Sequence, residues 1–271
     1  MEFRQIITLA SKEFWDRIRN RWVLAVAVIF TVFALIIAYF GGAQQGTVGF
    51  RSIELTIASL VSLVIYLIPL IALILGFDAI VGERERGSLE LLLSLPITRL
   101  ELLLGKYLGL AAALAFSTVT GFGLVAIVLA PNLDLNALYH YFGFMLSSVL
   151  LGMAFLSLAL MLSVFSSDRA GASGLAIGLW FFFVLVFDLL LLGALVLTGG
   201  RYAGEIFPYL LLLNPADVFR ILNIFTLDDV RTLYGLATVF PSALAAPWLL
   251  TPMMLAWIAA PLGIAAWRFR K

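Results

Sequence analysis

Six stretches of this chain are apolar over about 20 residues or more, running approximately Trp22 to Gly41, Ile57 to Ile80, Leu102 to Ala130, Phe144 to Phe165, Ala172 to Thr198 and Ala243 to Trp267. An α-helix rises about 1.5 Å per residue, so about 20 residues cross the roughly 30 Å hydrocarbon core of a bilayer. The pattern predicts an all-α membrane protein with six transmembrane helices. Ahead of the first stretch, Phe3, Ile6, Ile7, Ala10, Phe14 and Ile18 recur at three- and four-residue spacing, opposite Arg4, Thr8, Ser11, Lys12 and Arg19. That periodicity predicts an amphipathic helix over residues 1–21, lying in the membrane interface with its apolar face on lipid. Residues 22–271 then form one six-span domain. The first apolar stretch exceeds the 7 to 15 residues of a signal-peptide core and reads as a retained anchor.

Composition agrees with a bilayer as solvent. Of 271 residues, 63% are hydrophobic and 12% charged, with a mean hydropathy of +1.10, whereas soluble domains carry about 25% charged residues. Cysteine is absent, which excludes disulfides and cysteine-ligated metals. Lysine and arginine favour cytoplasmic loops. With the N-terminus inside, thirteen of the seventeen basic residues fall on the cytoplasmic side, leaving Arg51, Arg201, Arg220 and Arg231 outside. Both termini are therefore predicted to be cytoplasmic, and nothing in the charge pattern points to nucleic acid.

Ile206 to Leu227 is apolar enough to suggest a seventh span, but Asn214-Pro215, Asp217 and Arg220 interrupt it, and spanning would put the basic tail outside. Asn214 followed by Pro215 reads instead as a helix start, with Val218, Phe219, Leu222 and Phe225 on one face. The outer loop, residues 199–242, is thus predicted to hold a short amphipathic helix against the membrane surface or the bundle.

The loop at residues 81–101 is the richest in signals. Ser88 is a candidate cap for a two-turn helix that Pro96 must end, and Leu89, Leu92 and Leu93 give that helix an apolar knob. Glu83, Arg84, Glu85 and Arg86 precede it, and Thr98 with Glu101 forms a capping box opening the next membrane helix. The knob and its charges suit docking into a partner's groove.

The run Glu83-Arg84-Glu85-x-Gly87-Ser88-Leu89-Glu90-x-Leu92-Leu93-x-x-Pro96, followed by Arg99 and Gly105-Lys106, resembles the signature of ABC-2 type permeases. The resemblance extends over the whole chain in topology. It implies that Ser88 to Leu95 acts as a coupling helix seated on a separate ATPase that binds ATP and Mg²⁺, that the permease is a homodimer, and that it resides in a bacterial inner membrane. Within that superfamily, the compact length and the run Leu213-Asn214-Pro215-Ala216-Asp217-Val218-Phe219-Arg220 are similar to permeases serving nitrous oxide reductase maturation. That narrower likeness implies a periplasmic copper-handling partner. Asp217, Phe219 and Arg220, with Arg201, Arg231, Tyr202, Phe207 and Tyr209 around them, are the expected docking residues on that side.

Other residues refine the picture. Asp188 lies about 16 residues into the fifth stretch, at a depth where a carboxylate is a functional candidate. No basic residue of any span sits at matching depth, so a protonated Asp188 bonded to a neighbouring helix is the alternative. Asp78 is close enough to the cytoplasmic end to reach water or Arg84. The only Gly-Lys pair, Gly105-Lys106, has Leu100 where a phosphate-binding loop needs glycine, so the chain itself is not predicted to be an ATPase or to hold a cofactor. Met145, Met153 and Met161 turn about 80° from one to the next, and His140 is the sole histidine, which speaks against a metal site. Gly105 with Gly109, and Gly174 with Gly178, permit close helix approach. A secondary transporter would need more polar groups near the midplane. An ABC-2 exporter of unrelated cargo and a non-transporting assembly scaffold stay open. The basic asymmetry has a direct test: a reporter fused after Lys271 is expected to be active only in the cytoplasm, and periplasmic activity would restore the seventh span.

Overall fold

The structure, a computed structural model, describes residues 2–19, 21–40, 53–129, 135–200, 206–224, 244 and 246–270. Every regular element among them is helical. In chain order these are α1 (Phe3–Arg19), α2 (Trp22–Phe40), α3 (Ile53–Gly76), α4 (Val81–Glu85), α5 (Ser88–Leu93), α6 (Arg99–Leu129), α7 (Leu135–Phe165), α8 (Arg169–Phe181), α9 (Phe187–Leu197), α10 (Phe207–Leu211), α11 (Pro215–Ile224) and α12 (Pro247–Arg270). A π-helical turn, Phe182–Val186, joins α8 to α9.

Five segments are long and apolar enough to cross a membrane: Thr56–Glu85, Arg99–Val128, Leu138–Phe165, Arg169–Leu197 and Pro247–Arg270. The first expected span, α2, passes the same test only together with α1, which it meets at a bend of 64°. Arg21, at that bend, takes a left-handed φ of 53°, a conformation non-glycine residues adopt only at a cost. The predicted all-helical membrane architecture is thus the observed one, with five spans among the described residues and six when α1 and α2 count as one bent span. One boundary is corrected: the fourth span was expected from Phe144, but α7 starts at Leu135. Its first turns look polar, yet Tyr141 is fully buried and its hydroxyl donates to the Phe122 carbonyl at 2.9 Å, so tertiary contact carries the helix onward.

The core is centred on α7, which packs against α3, α6, α11 and α12. Ring contacts run through it from Phe30 to Phe122 (centroids 5.2 Å apart), on to Phe144 (5.2 Å) and to Phe219 (6.2 Å), linking α2, α6, α7 and α11. All four side chains are almost wholly buried.

Residues 206–224 do not form a seventh span: α10 and α11 have five and ten residues. Asn214 caps α11 as expected, its Oδ1 accepting from the Ala216 amide at 3.0 Å with Pro215 next in line. The helix packs on the bundle, as one of the two expected placements had it. Of the other outer-loop residues singled out above, Phe207 and Tyr209 lie on α10. Arg201, Tyr202, Phe225 and Arg231, with Arg51 of the first outer loop, lie outside the described residues.

Helix α1 lies along α6 rather than presenting one apolar face to lipid. Ile6 and Glu13 are buried against the bundle, while Phe3, Ile7 and Trp15 face outward, each more than half exposed. Gly105 and Gly109 make the approach possible. A Cβ on Gly105 would stand 2.5 Å from the Leu9 Cβ, and one on Gly109 would stand 2.6 Å from the Ala10 carbonyl oxygen. By contrast, among the described residues nothing outside the helix's own backbone lies within 4 Å of a Cβ on Gly174 or Gly178. Gly109→Val is therefore expected to destabilise the purified protein by about 1–3 kcal/mol, the usual cost of overpacking, and to expose α1 to protease. Gly174→Val should leave the stability of the single chain unchanged. Equal melting of both variants would contradict this packing.

Candidate functional site

The candidate site is the segment of residues 81–101 at the end of the bundle where most basic residues gather. After α3 the chain turns, and the amides of Ile80 and Val81 donate to the Ser163 hydroxyl of α7 at 2.9 and 3.0 Å. This fixes the start of α4. Between α4 and α5 the backbone reverses at Gly87, whose φ of 69° is the left-handed region that favours glycine. The break before Pro96 ends α5 as predicted. The capping box that opens α6 is also present, with Glu101 Oε2 accepting from the Thr98 amide at 2.7 Å and Thr98 Oγ1 accepting from the Glu101 amide at 3.2 Å.

Two sequence expectations need correction. Ser88 does not cap α5. Gly87 holds that position, and the Ser88 hydroxyl instead donates to the Glu83 carboxylate. Nor do Leu89, Leu92 and Leu93 form an outward knob. Leu89 is buried, and Leu92 and Leu93 are half-buried against the core. Leucines at three- and four-residue spacing share one face, and a helix held against a bundle turns that face inward. The outward leucines are Leu91, 72% exposed, and Leu95, 54% exposed, with Glu90 and Ser94 beside them. Of the charges before α5, Arg84, Glu85 and Arg86 are exposed, while Glu83 is half-buried.

Glu83 is drawn inward by Lys106. The Lys106 ammonium sits 3.1 Å from Glu83 Oε1 and 3.3 Å from Glu13 Oε2, and Lys106 and Glu13 are only 5% and 7% exposed. Arg17 lies 3.2 Å from Glu13, and Arg86 lies 3.8 Å from Glu83. One buried cation thus ties α1, α4 and α6 together. A second knot joins the segment to the fifth span: Arg169 Nε lies 2.6 Å from Asp78 Oδ1, and the Arg169 amide donates to Glu85 Oε1 at 2.7 Å. Asp78 therefore pairs with Arg169 and not with Arg84, which donates to the Ser166 carbonyl at 2.7 Å. At the start of α8, Asp168 caps the helix by accepting from the Gly171 amide at 2.7 Å, and that bond holds its carboxyl below the usual aspartate range.

Sequence reasoning missed Glu13 and the ionic role of Lys106. The signal was there, since Glu13 falls seven residues after Ile6, on the apolar face of the helix that was expected to rest on lipid, and a carboxylate there needs a cation nearby.

At the opposite end, Asp188, Asp217 and Arg220 come together. Arg220 Nη2 lies 3.0 Å from Asp188 Oδ2, and its Nη1 lies 2.5 Å from Asp217 Oδ1. Asn214 Nδ2 donates to Asp217 Oδ2 at 2.9 Å and to the Phe183 carbonyl in the π-helical turn at 2.8 Å. The expectation that Asp188 lacks a basic partner is overturned, because α11 folds back beside the fifth span and brings Arg220 with it. Asp217 is 1% exposed, and burial pushes its carboxyl up to about 7 against the pull of Arg220. Phe219 is fully buried, so it and Asp217 face inward rather than forming an outer docking surface; only Arg220 of the three is partly exposed.

Comparison with known proteins follows the same lines. Residues 7–271 match the family described as ABC-2 family transporter protein. The chain is 46% identical, over 270 residues and 97% of both chains, to a protein of Pseudomonas aeruginosa named probable ABC transporter permease protein NosY. It is 45% identical, over 274 residues and 98% of both chains, to a protein of the same name from Stutzerimonas stutzeri.

Removing one partner from a buried ion cluster typically costs about 3–5 kcal/mol, because the remaining charge is left unpaired, whereas replacing the whole cluster by neutral groups costs far less. Lys106→Met is therefore expected to lower thermal stability sharply, and the triple variant Glu13→Gln, Glu83→Gln, Lys106→Met to recover most of the loss. If the single and triple variants melt alike, the cluster is not a coupled unit.

Proposed function

The chain belongs to the ABC-2 family of transporter proteins, and on that premise we propose that its ATPase partner seats on the outward face of α5 and that the transporter serves copper-site maturation of nitrous oxide reductase. As a permease subunit it carries no ATPase activity of its own. ATP and Mg²⁺ bind the partner. The observation that carries the reading is the pair of exposed leucines, Leu91 on α5 and Leu95 just past its end, on a short helix whose other face is fixed to the bundle. Exposed leucines flanked by Arg84, Glu85 and Arg86 suit a groove with an apolar floor and charged rims.

In this reading, nucleotide-driven movement of the ATPase pushes α5. The push reaches α1 and α6 through Lys106 and reaches α8 through Arg169. Both termini and residues 81–101 face the cytoplasm of the bacterial inner membrane, in keeping with the basic residues gathered there. Two copies pair along the fifth span, where Gly174 and Gly178 stand open beside the exposed Leu175, Ile177 and Phe181. A periplasmic copper-handling protein meets the opposite end, near Arg220 and the exposed Tyr209 and Leu213.

The double variant Leu91→Asp, Leu95→Asp is expected to insert normally, to lose the ATPase on co-purification, and to leave the reductase in the same cells without copper. Retention of the ATPase would refute the seat on α5. Loss of the ATPase with full copper loading would refute the role in maturation and leave the seat standing.

A further inference from the structure

Between α5 and the adjoining ends of α6, α7 and α12 lies an open cavity of about 620 Å³. Its wall carries three guanidiniums, those of Arg84, Arg99 and Arg268, against one carboxylate, Glu90. None of the three arginines is ion-paired to a carboxylate among the described residues. Neutral groups hold them instead. Arg84 donates to the Ser166 carbonyl at 2.7 Å, and Arg99 donates to the Phe269 carbonyl at 3.1 Å. The Arg99 guanidinium also lies 5.9 Å from the centre of the Phe269 ring, and that of Arg268 lies 6.0 Å from the Phe165 ring. Their directions are thus set while most of their N–H donors and all of their charge stay uncommitted.

The cavity sits where three spanning segments end: Arg99 opens α6, Phe165 closes α7 and Arg268 lies in the last turn of α12. Such ends stand at headgroup level. A guanidinium matches a phosphate with two parallel hydrogen bonds, and basic pockets between transmembrane helices suit anionic lipid headgroups. Leu89 and Leu93, on the inward face of α5, add an apolar wall opposite Phe165 and Phe269. The outward Leu91 and Leu95 are not part of this lining, so an ATPase resting on them leaves the cavity clear.

We propose that this cavity binds the phosphate headgroup of an anionic phospholipid, which bridges α5 to the ends of α6, α7 and α12. The proposal does not depend on what the transporter serves. A lipid there would brace the inward face of the helix that the partner pushes from outside.

The test uses the full-length chain, purified, delipidated and offered cardiolipin, phosphatidylglycerol, phosphatidylcholine or inorganic phosphate, with retained lipid counted by native mass spectrometry. Both anionic lipids are expected to be retained over phosphatidylcholine. Arg99→Gln with Arg268→Gln should lower that retention about thirtyfold, as loss of two cations beside an anionic headgroup implies. Arg268→Lys, which keeps the charge and disturbs the fold least, should retain most of it. A matched control, Arg19→Gln with Arg270→Gln, removes the same charge from exposed positions outside the cavity and should change little. Equal loss in the control would reduce the effect to general surface attraction and overturn the proposal. Displacement of the lipid by millimolar inorganic phosphate would assign the cavity to a free anion, and displacement by the ATPase would assign it to the partner.

Discussion

A charge buried in an apolar bundle must be neutralised where it stands, and the basic end of this protein is arranged around one such charge. Lys106 lies a few residues inside α6, screened from solvent, and draws Glu13 from α1 and Glu83 from α4 to itself. Leaving any of the three alone would cost several kcal/mol. Once the lysine is committed to α6, the position of the N-terminal helix and the path of residues 81–101 follow. The close contact at Gly105 and Gly109 sits on the same face of α6, one residue before Lys106 and three after, so apolar packing and ion pairing enforce the same placement of α1.

The same need recurs elsewhere with different partners. Arg169 ties Asp78 and Glu85 to the start of α8, and Arg220 brings α11 down beside Asp188 in the fifth span. In each case a cation pairs with a carboxylate far away in the sequence, Arg169 with Asp78 and Arg220 with Asp188, and joins the two segments. A push on α5 therefore meets a rigid frame at one end of the bundle. The fifth span is tied at Arg169 and at Asp188, and its π-helical turn, Phe182–Val186, lies between the two ties. Such turns often mark functional positions in helices.

Local pattern carried the sequence reading far. Apolar run length was enough to find six spans, because the bilayer sets a length that composition must meet. Pro96, Asn214-Pro215 and the Thr98–Glu101 box marked helix ends through chemistry confined to a few residues. Contacts between distant segments were not legible. Periodicity showed that Leu89, Leu92 and Leu93 share a face, but not that this face turns inward and leaves Leu91 and Leu95 outside. Arg220 belongs to a loop by chain order, so nothing in the neighbourhood of Asp188 announced its partner. Phe219 read as an exposed aromatic for the same reason. Glu13 was visible as a carboxylate on a face expected to rest on lipid, and the cation it needs is Lys106 of α6.

Tied through Lys106 and Glu83, α1, α4 and α5 are predicted to move as one body under the ATPase. The chain has no cysteine, so paired spin labels can be placed without background at Ser11 on α1 and Ser94 at the end of α5, both exposed, and at Ser94 and Val196 as a long reference across the bundle. Distances measured by pulsed electron resonance in the assembled complex, with and without ATP, are predicted to stay fixed for Ser11 to Ser94 and to shift for Ser94 to Val196. A change in the first distance, with the second constant, would show α5 moving apart from α1 and contradict the account.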